Sequence, residues 1–323
     1  MRSSSPREAF VTPAAALVAI DWGTSAARAY RIDADGTVLE RRGVPVGVKH
    51  VRDGRFEAAL AKLLGDWSAD PAPRIACGMI GSRQGWVEAP YVGCPASLTA
   101  LADHLVRVPQ DALTIVPGVI TRDAARIPDV MRGEETQLLG AVATDEPGVL
   151  AVLPGTHSKW ARVEHGRIVD FTTFMTGELY AVLIDHSMLG RIAGHEPGRF
   201  ARDAFSRGVA RGLGGGELAH DLFGARTLAL AGELASEEVA DWLSGLLIGR
   251  EITAAHAWAA RAGVDASVTR VIGSDALAQR YDLALGDAGA LAERGDADAA
   301  AIGLWRIAQR AGITSASRSG APA

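Results

Sequence analysis

Two short segments of this chain set anion-binding and metal-binding residue types side by side. In the first, Leu17 to Arg31, an apolar run ends in Asp21 and Trp22, a turn of Gly23, Thr24 and Ser25 follows, and a second strand-like run begins near Ala27. A tight Gly/Thr/Ser turn offers backbone N–H groups and hydroxyls to an anion, and a carboxylate at the preceding strand end can hold a hydrated Mg²⁺ beside it. By residue type alone, Asp21 serves two readings equally, metal ligand or cap of the turn. The second segment, VLAVLPGTHSKWARV from Val149 to Val163, repeats the plan with Gly155 and Thr156 at its tip. Two such hairpins predict two related halves facing one phosphate chain. Neither has the G-x-x-x-x-G-K-[ST] spacing of a P-loop, and no G-x-G-x-x-G dinucleotide fingerprint occurs. The expected device is a strand-turn-strand clamp with Gly23, Thr24, Ser25, Gly155 and Thr156 as its donors, glycine permitting close approach and hydroxyls adding bonds.

Other candidates cluster around these tips. His157, Ser158 and Lys159 follow the second tip directly, where strand alternation aims them at the cleft, and Lys159 is expected to neutralise charge on a transferred group. Glu134 and Glu135 open a helix next to Arg132. An acidic first turn also complements the helix dipole, so a structural role competes with an acid/base one. The fork of Arg132 suits a planar anion such as a carboxylate. The loop GMIGSRQGWVEAPY supplies Gly81, Ser82, Arg83, Trp86 and Tyr91, donors for an acid with an aromatic wall for its carbon skeleton, and Trp22 joins this group. Loops carried on a rigid scaffold are where ligand groups collect. Thr176 and Glu178, in MTGE, close the pocket from the other half.

The DWGTSAAR hairpin, the LPGTHSKW hairpin and the late VIGS turn resemble the three nucleotide-binding elements of the actin, heat-shock ATPase and sugar-kinase superfamily. More narrowly, AIDWGTS, GMIGSRQGW with APY, VMRGEETQLLGA, LPGTHSKW, MTGELYAVL and WLSGLLIG, in order from residue 19 to residue 249, resemble the 2-dehydro-3-deoxygalactonokinases. The resemblance implies an α/β fold of two ribonuclease-H-like (actin-like ATPase) domains with an interdomain cleft. It also implies ATP- and Mg²⁺-dependent phosphorylation of the 6-hydroxyl of 2-dehydro-3-deoxy-D-galactonate. On the same resemblance Asp21 serves the metal, Glu134 precedes Glu135 as candidate base after Gly133, and Gly273 with Ser274 forms the adenosine turn. Two further readings share these motifs: a kinase for another 2-keto-3-deoxy sugar acid, and a non-catalytic ATP- or sugar-binding regulator on the same scaffold.

The elements that must position these residues fall into two sets. With 323 residues against the ~100–200 of one domain, two domains sharing a cleft are expected. The division is placed at DEPG, giving 1–145 with the sugar-acid side and the first hairpin, and 146–323 with the second hairpin and the adenosine side. Strands are read over Leu17–Leu39, Arg41–Val48, Arg74–Met79, Leu113–Pro117, Val149–Leu153, Trp160–Glu164, Ile168–Phe174 and Val268–Ile272. Helical spacing occupies Phe56–Trp67, Arg132–Val142, Gly177–Leu183, Glu237–Leu247, Ile252–Ala262, Ala276–Leu285 and Ala299–Ala311. Gly190 to Gly216 carries no assignment.

Hydrophobic residues at 48% and charged residues at 22% are ordinary globular values and exclude a disordered chain. A net charge of −5 leaves no basic footprint for nucleic acid. Two cysteines, Cys77 and Cys94, cannot form a disulfide framework and read as free thiols of a reducing cytoplasm. The seven-residue apolar stretch after Arg2 and Arg7 reads as the first strand instead of a leader, and no run approaches the ~20 apolar residues of a membrane helix. The expected partners are therefore ATP and a small sugar acid, with a homodimer allowed and neither nucleic acid nor membrane involved.

Overall fold

The structure is a computed structural model and describes residues 14–108, 113–194 and 200–314. The expectation for the first residues, and residues 195–199 of the unassigned stretch, lie outside the described residues.

The first half is built on β1 (Leu17–Trp22), β2 (Ala27–Ile32), β3 (Val38–Val44) and β4 (Arg74–Cys77), with α1 (Phe56–Leu64) between the last two. A small sheet is made by β5 (Tyr91–Gly93), β9 (Gly118–Arg122) and β10 (Pro128–Met131). Short pieces β6 (Ala96–Ser97), α2 (Leu98–Ala102), β7 (Val106–Arg107) and β8 (Leu113–Ile115) complete the half, and α3 (Glu134–Ala141) ends it. The second half runs β11 (Val149–Leu153), β12 (Ser158–Glu164), β13 (Arg167–Phe174), then five helices, α4 (Thr176–His186), α5 (Met188–Ile192), α6 (Arg202–Leu213), α7 (Leu218–Leu230) and α8 (Val239–Arg261). It closes with β14 (Val268–Val271), α9 (Asp275–Asp287), β15 (Leu291–Arg294) and α10 (Ala299–Arg310).

Both large sheets follow one plan. The first has strand order β3-β2-β1-β4-β8-β7, and the second β15-β14-β11-β12-β13-β6. In each, an antiparallel three-strand meander is extended by strands running parallel to its first member: β4 beside β1, and β14 beside β11. This is the ribonuclease-H-like topology, present twice.

Strand β1 is apolar at nearly every position because both its faces are covered, as central strands of layered α/β folds are. Val18, Ile20 and Trp22 face α1 through Phe56, Leu60, Leu63 and Leu64. Leu17 and Ala19 face the opposite core, which α3 and α10 supply. Each fully buried aliphatic side chain here contributes roughly 1.5–3 kcal/mol. The helix α10 follows the second half in sequence yet packs on β1 and crosses α3 in the first. At that crossing a Cβ on Gly140 would run into the Ala299 carbonyl oxygen, and one on Gly303 into that of Thr136. Backbones meet there with no side chain between them.

Three elements depart from the sequence expectations. Glu237–Leu247 and Ile252–Ala262 join in the single 23-residue α8, because Gly249 faces the backbone of α6 at Val209 and serves close packing instead of a helix stop. The Gly- and Arg-rich stretch contains α6, whose Gly208 and Gly212 sit against α8 in the same manner. The polar, glycine-rich loop after β4 ends in β5, which pairs with β9 and gives the loop a sheet to lie on.

Candidate active site

A cleft of about 550 Å³ opens between the two halves, with Asp21 at the end of β1 on one wall and Gly273 and Ser274, at the start of α9, on the other. Burial pushes the Asp21 carboxyl up from its ordinary value, Arg28 opposes the shift and Glu134 adds to it. Two carboxyl groups thus lie close enough to feel each other.

At the first tip, Gly23 N–H donates to Ala26 O at 2.9 Å. The carbonyls of Gly23, Thr24 and Ser25 are taken by the N–H groups of Val48, Lys49 and Gly47 at 3.1–3.2 Å. The N–H groups of Thr24, Ser25 and Ala26 donate to no acceptor among the described residues, and Thr24 and Ser25 are exposed. With its carbonyls engaged from behind, the turn presents only donors, the arrangement an anion requires.

The second tip is supported differently. Thr156 O accepts from Glu178 N at 2.9 Å, and a Cβ on Gly177 would strike Gly155 O, so the N-terminus of α4 rests directly on the turn. Its positive dipole end adds to the N–H groups of Gly155 and Thr156, which donate to no acceptor among the described residues. His157 Nε2 and Glu178 Oε2 are hydrogen-bonded beside it, both about half exposed. The Gly273 turn adjoins this tip, since a Cβ at Gly273 would lie 3.6 Å from Pro154, and Ile272 N donates to Val152 O at 2.9 Å. Gly155 and Thr176 line a second, smaller cavity of about 140 Å³ with Leu277 and Tyr281. The tip residues themselves are not among those lining the large cleft.

The two acidic residues of α3 have different surroundings. Glu135 is 0% exposed; its carboxylate accepts from Gly133 N at 2.6 Å and from Thr136 Oγ1 at 3.0 Å. Burial, aided by Glu134, pushes its carboxyl up to about 7. Glu134 is half-buried, and its Oε2 accepts from Arg132 N at 3.0 Å. Gly133, at φ 110°, lies against Gly78, which itself lies against the Trp22 carbonyl. This glycine stack brings the start of α3 up to the end of β1.

Arg132 is 9% exposed. Its Nη2 donates to Ala89 O at 2.8 Å and its guanidinium lies 4.4 Å from the Tyr91 ring centre. Nε and Nη1 are buried without a partner among the described residues, Nη1 facing Gly81, where a Cβ would come within 3.1 Å. Arg132, Gly81 and Tyr91 therefore meet in one place. The other members of the loop have protein partners: Ser82 Oγ donates to Met79 O at 2.8 Å, Arg83 pairs with Glu88 at 3.1 Å, and Trp86 stacks on Phe56 at 6.0 Å.

Three expectations need correction. Trp22 is fully buried and donates to Val46 O at 2.9 Å, so its ring belongs to the α1 core and not to the ligand. Ser158 is fully buried and bonds Tyr281 Oη at 2.9 Å, in a network where Tyr281 and Trp160 both donate to Glu251 of α8. Alternation turned Ser158 toward the helical layer. Lys159 is 6% exposed, and its Nζ donates to Val130 O and Thr173 Oγ1, each at 2.8 Å. Its charge ties β12 to β10 instead of facing the cleft.

Glu251 carried no sequence signal, being one acid within a long helix. Arg28 did carry one: it stands opposite Asp21 in the β1–β2 register and lines the cleft. Among the described residues no three His, Cys, Asp or Glu side chains gather as a metal cluster. A single carboxylate, Asp21, beside a turn whose N–H groups donate to no acceptor among the described residues fits Mg²⁺, which is commonly held by one or two carboxylates and completed by substrate phosphates and water. No described helix is long and apolar enough to cross a membrane.

A family model described as 2-keto-3-deoxy-galactonokinase matches residues 21–307. The 2-dehydro-3-deoxygalactonokinase of Escherichia coli (strain K12) is 39% identical over 268 residues, covering 83% of this chain and 88% of that protein. A Rhizobium meliloti (strain 1021) protein named as a probable 2-dehydro-3-deoxygalactonokinase is 40% identical over 316 residues, 95% of this chain and 98% of its own. A crystal structure from Sinorhizobium meliloti, described as a 2-dehydro-3-deoxygalactonokinase protein, superposes with a TM-score of 0.82 at 37% identity, covering 91% of this chain and 98% of that one.

Proposed function

From the premise that this chain belongs to the 2-keto-3-deoxy-galactonokinase family, we propose that it transfers the γ-phosphoryl group of ATP to the 6-hydroxyl of 2-dehydro-3-deoxy-D-galactonate. The products are ADP and 2-dehydro-3-deoxy-6-phosphogalactonate, a step of galactonate catabolism. The observation that carries the kinase reading is the duplicated strand-turn-strand tip with unengaged N–H groups, once per half, beside a cleft holding Asp21.

In this reading Gly23, Thr24, Ser25, Gly155 and Thr156 cradle the phosphates, and Gly273 and Ser274 take the adenosine. Mg²⁺, held through Asp21, supplies charge neutralisation at the phosphates when bound. Glu134 accepts the hydroxyl proton: it is half-buried at the helix start and near Asp21, whereas Glu135 is enclosed and occupied by Gly133 and Thr136. Arg132, whose buried Nε and Nη1 have no partner among the described residues beside Gly81 and Tyr91, receives the substrate carboxylate after the loop shifts. His157, Thr176 and Glu178 approach from the second half. The halves divide near residue 145, with α10 returning to the first, and the enzyme works in the cytoplasm.

A coupled ADP-release assay across 2-keto-3-deoxy sugar-acid epimers tests the proposal. Turnover is expected with the galactonate-derived acid above all others. Folded, ATP-binding protein that forms no ADP with it rejects the assignment, and faster turnover of another epimer moves the substrate while keeping the chemistry.

A further inference from the structure

We propose that Glu251 is a positioning residue for the nucleotide side of the site, its buried carboxyl fixing the second phosphate tip and the Gly273 turn relative to each other. The inference rests on the kinase reading above. Trp160 Nε1 donates to Glu251 Oε1 at 2.7 Å, and Tyr281 Oη donates to the same carboxyl, 2.9 Å from Oε1 and 3.0 Å from Oε2. With that proton committed, Ser158 Oγ donates to Tyr281 Oη at 2.9 Å. Burial pushes the Glu251 carboxyl up from its ordinary value, and hydrogen bonding from Thr176, Trp160, Tyr281 and Ser158 opposes the shift.

These partners belong to the elements that build the nucleotide side. Ser158 and Trp160 open β12, directly after the tip. Thr176 is the first residue of α4, the helix whose N-terminus rests on the tip. Tyr281 stands on α9, which the Gly273 turn leads into. Gly155, Thr176 and Tyr281 all line the smaller cavity, so the network reaches the surface of the site. Thr156, Gly273 and Ser274 are themselves exposed and have little packing of their own to hold them. Their anchor is rigid: on α8, a Cβ at Gly245 would strike Phe205 O and one at Gly249 would strike Val209 O, so α8 and α6 are in backbone contact.

A purely structural need would be met differently. Burying a carboxyl among neutral donors, with no cation among the groups acting on it, costs stability that an apolar side chain of similar size would not. What the carboxyl supplies is direction, because a fully satisfied buried network holds its members in one arrangement. Phosphate binding by backbone N–H groups depends on such preorganisation. Glu251 acts only through β12, α4 and α9 and touches neither ATP nor the sugar acid.

The test measures the Kd for ATP with Mg²⁺ and the Kd for 2-dehydro-3-deoxy-D-galactonate by calorimetry, with thermal unfolding of the same samples. Tyr281→Phe deletes one hydroxyl of the network; it should weaken ATP binding about tenfold and leave sugar-acid binding within about twofold. Glu251→Leu should weaken ATP binding more, again sparing the sugar acid. Glu251→Gln keeps the shape and an acceptor for Trp160, and should recover most of the affinity that Glu251→Leu loses. A role confined to stability instead lowers the melting temperature and leaves ATP affinity unmoved. Parental ATP affinity in folded Tyr281→Phe overturns the inference whether or not Glu251→Leu folds, and so does an equal loss of both ligands. Parent protein that binds ATP but not this sugar acid fails the substrate reading alone, because the ATP comparison still decides the role of Glu251. Parent protein that binds no ATP defeats the kinase reading, and the inference falls with it.

Discussion

Glu134 and Glu135 are adjacent in sequence and opposite in circumstance. Replacing Glu134 by Gln should cut turnover by roughly 10²-fold or more with ligand binding retained, since only the proton acceptor is lost; steady-state rates and calorimetry on the same sample check this. A Glu135→Gln variant should instead show its effect in stability against pH. With the native carboxyl raised from 4.5 to about 7, the folded state binds this proton more tightly than the unfolded one. The group therefore lowers stability progressively as pH rises from 4.5 toward 7, by something on the order of 3 kcal/mol, and by a constant amount above that. Glu135→Gln should flatten that slope in denaturant titrations from pH 5 to 8. An unchanged slope would mean that Glu135 is not the proton-linked group. Both acids were visible in MRGEETQ, but their division of labour was not, because one residue of helix rotation decides which carboxylate is enclosed against Gly133 and Thr136 and which is left half-buried.

At the scale of elements, the crossing of α3 and α10 positions Glu134, because α3 starts at the site and is held along its length by α10. Gly303→Ala places a methyl against the Thr136 carbonyl oxygen, where backbone must move to make room. A loss of about 1–3 kcal/mol is expected, accompanied by a drop in kcat as the helix start shifts. Thermal unfolding and rates read the two effects, and a variant with unaltered melting and kcat would show that the crossing is not a constraint. The sequence made β1, β11 and their turns legible, since an apolar run ending at Asp or Pro-Gly is a local pattern. Helix α6 carries no assignment and α8 reads as two helices in the sequence because their glycines serve a partner helix, and glycine in a one-dimensional pattern reads as a break.

For the whole molecule, the two halves are tied by Lys159, whose Nζ reaches Val130 in the small sheet of the first half, and by β6, a strand from the first half that joins the edge of β13. Lys159→Met should lower stability by about 1–3 kcal/mol through the lost charged hydrogen bonds, with ATP binding unaltered. A large fall in kcat with no loss of stability would return Lys159 to phosphate chemistry. ATP and sugar acid together should compact the enzyme, because closure excludes water from the transferred group. Small-angle scattering with each ligand alone and with both provides the measurement, and identical curves would remove closure from the account.

By itself the sequence determined that there are two strand-turn-strand tips, an acid-led helix between them and a duplicated α/β plan, because these depend on neighbours within a few residues. Tertiary structure alone decided that Trp22 and Ser158 are core, that Lys159 braces the halves, and that Arg28 lines the cleft opposite Asp21. Such roles turn on which face of a strand meets another element and on which charge finds a partner. Those outcomes depend on residues far away in the chain and are absent from any local pattern.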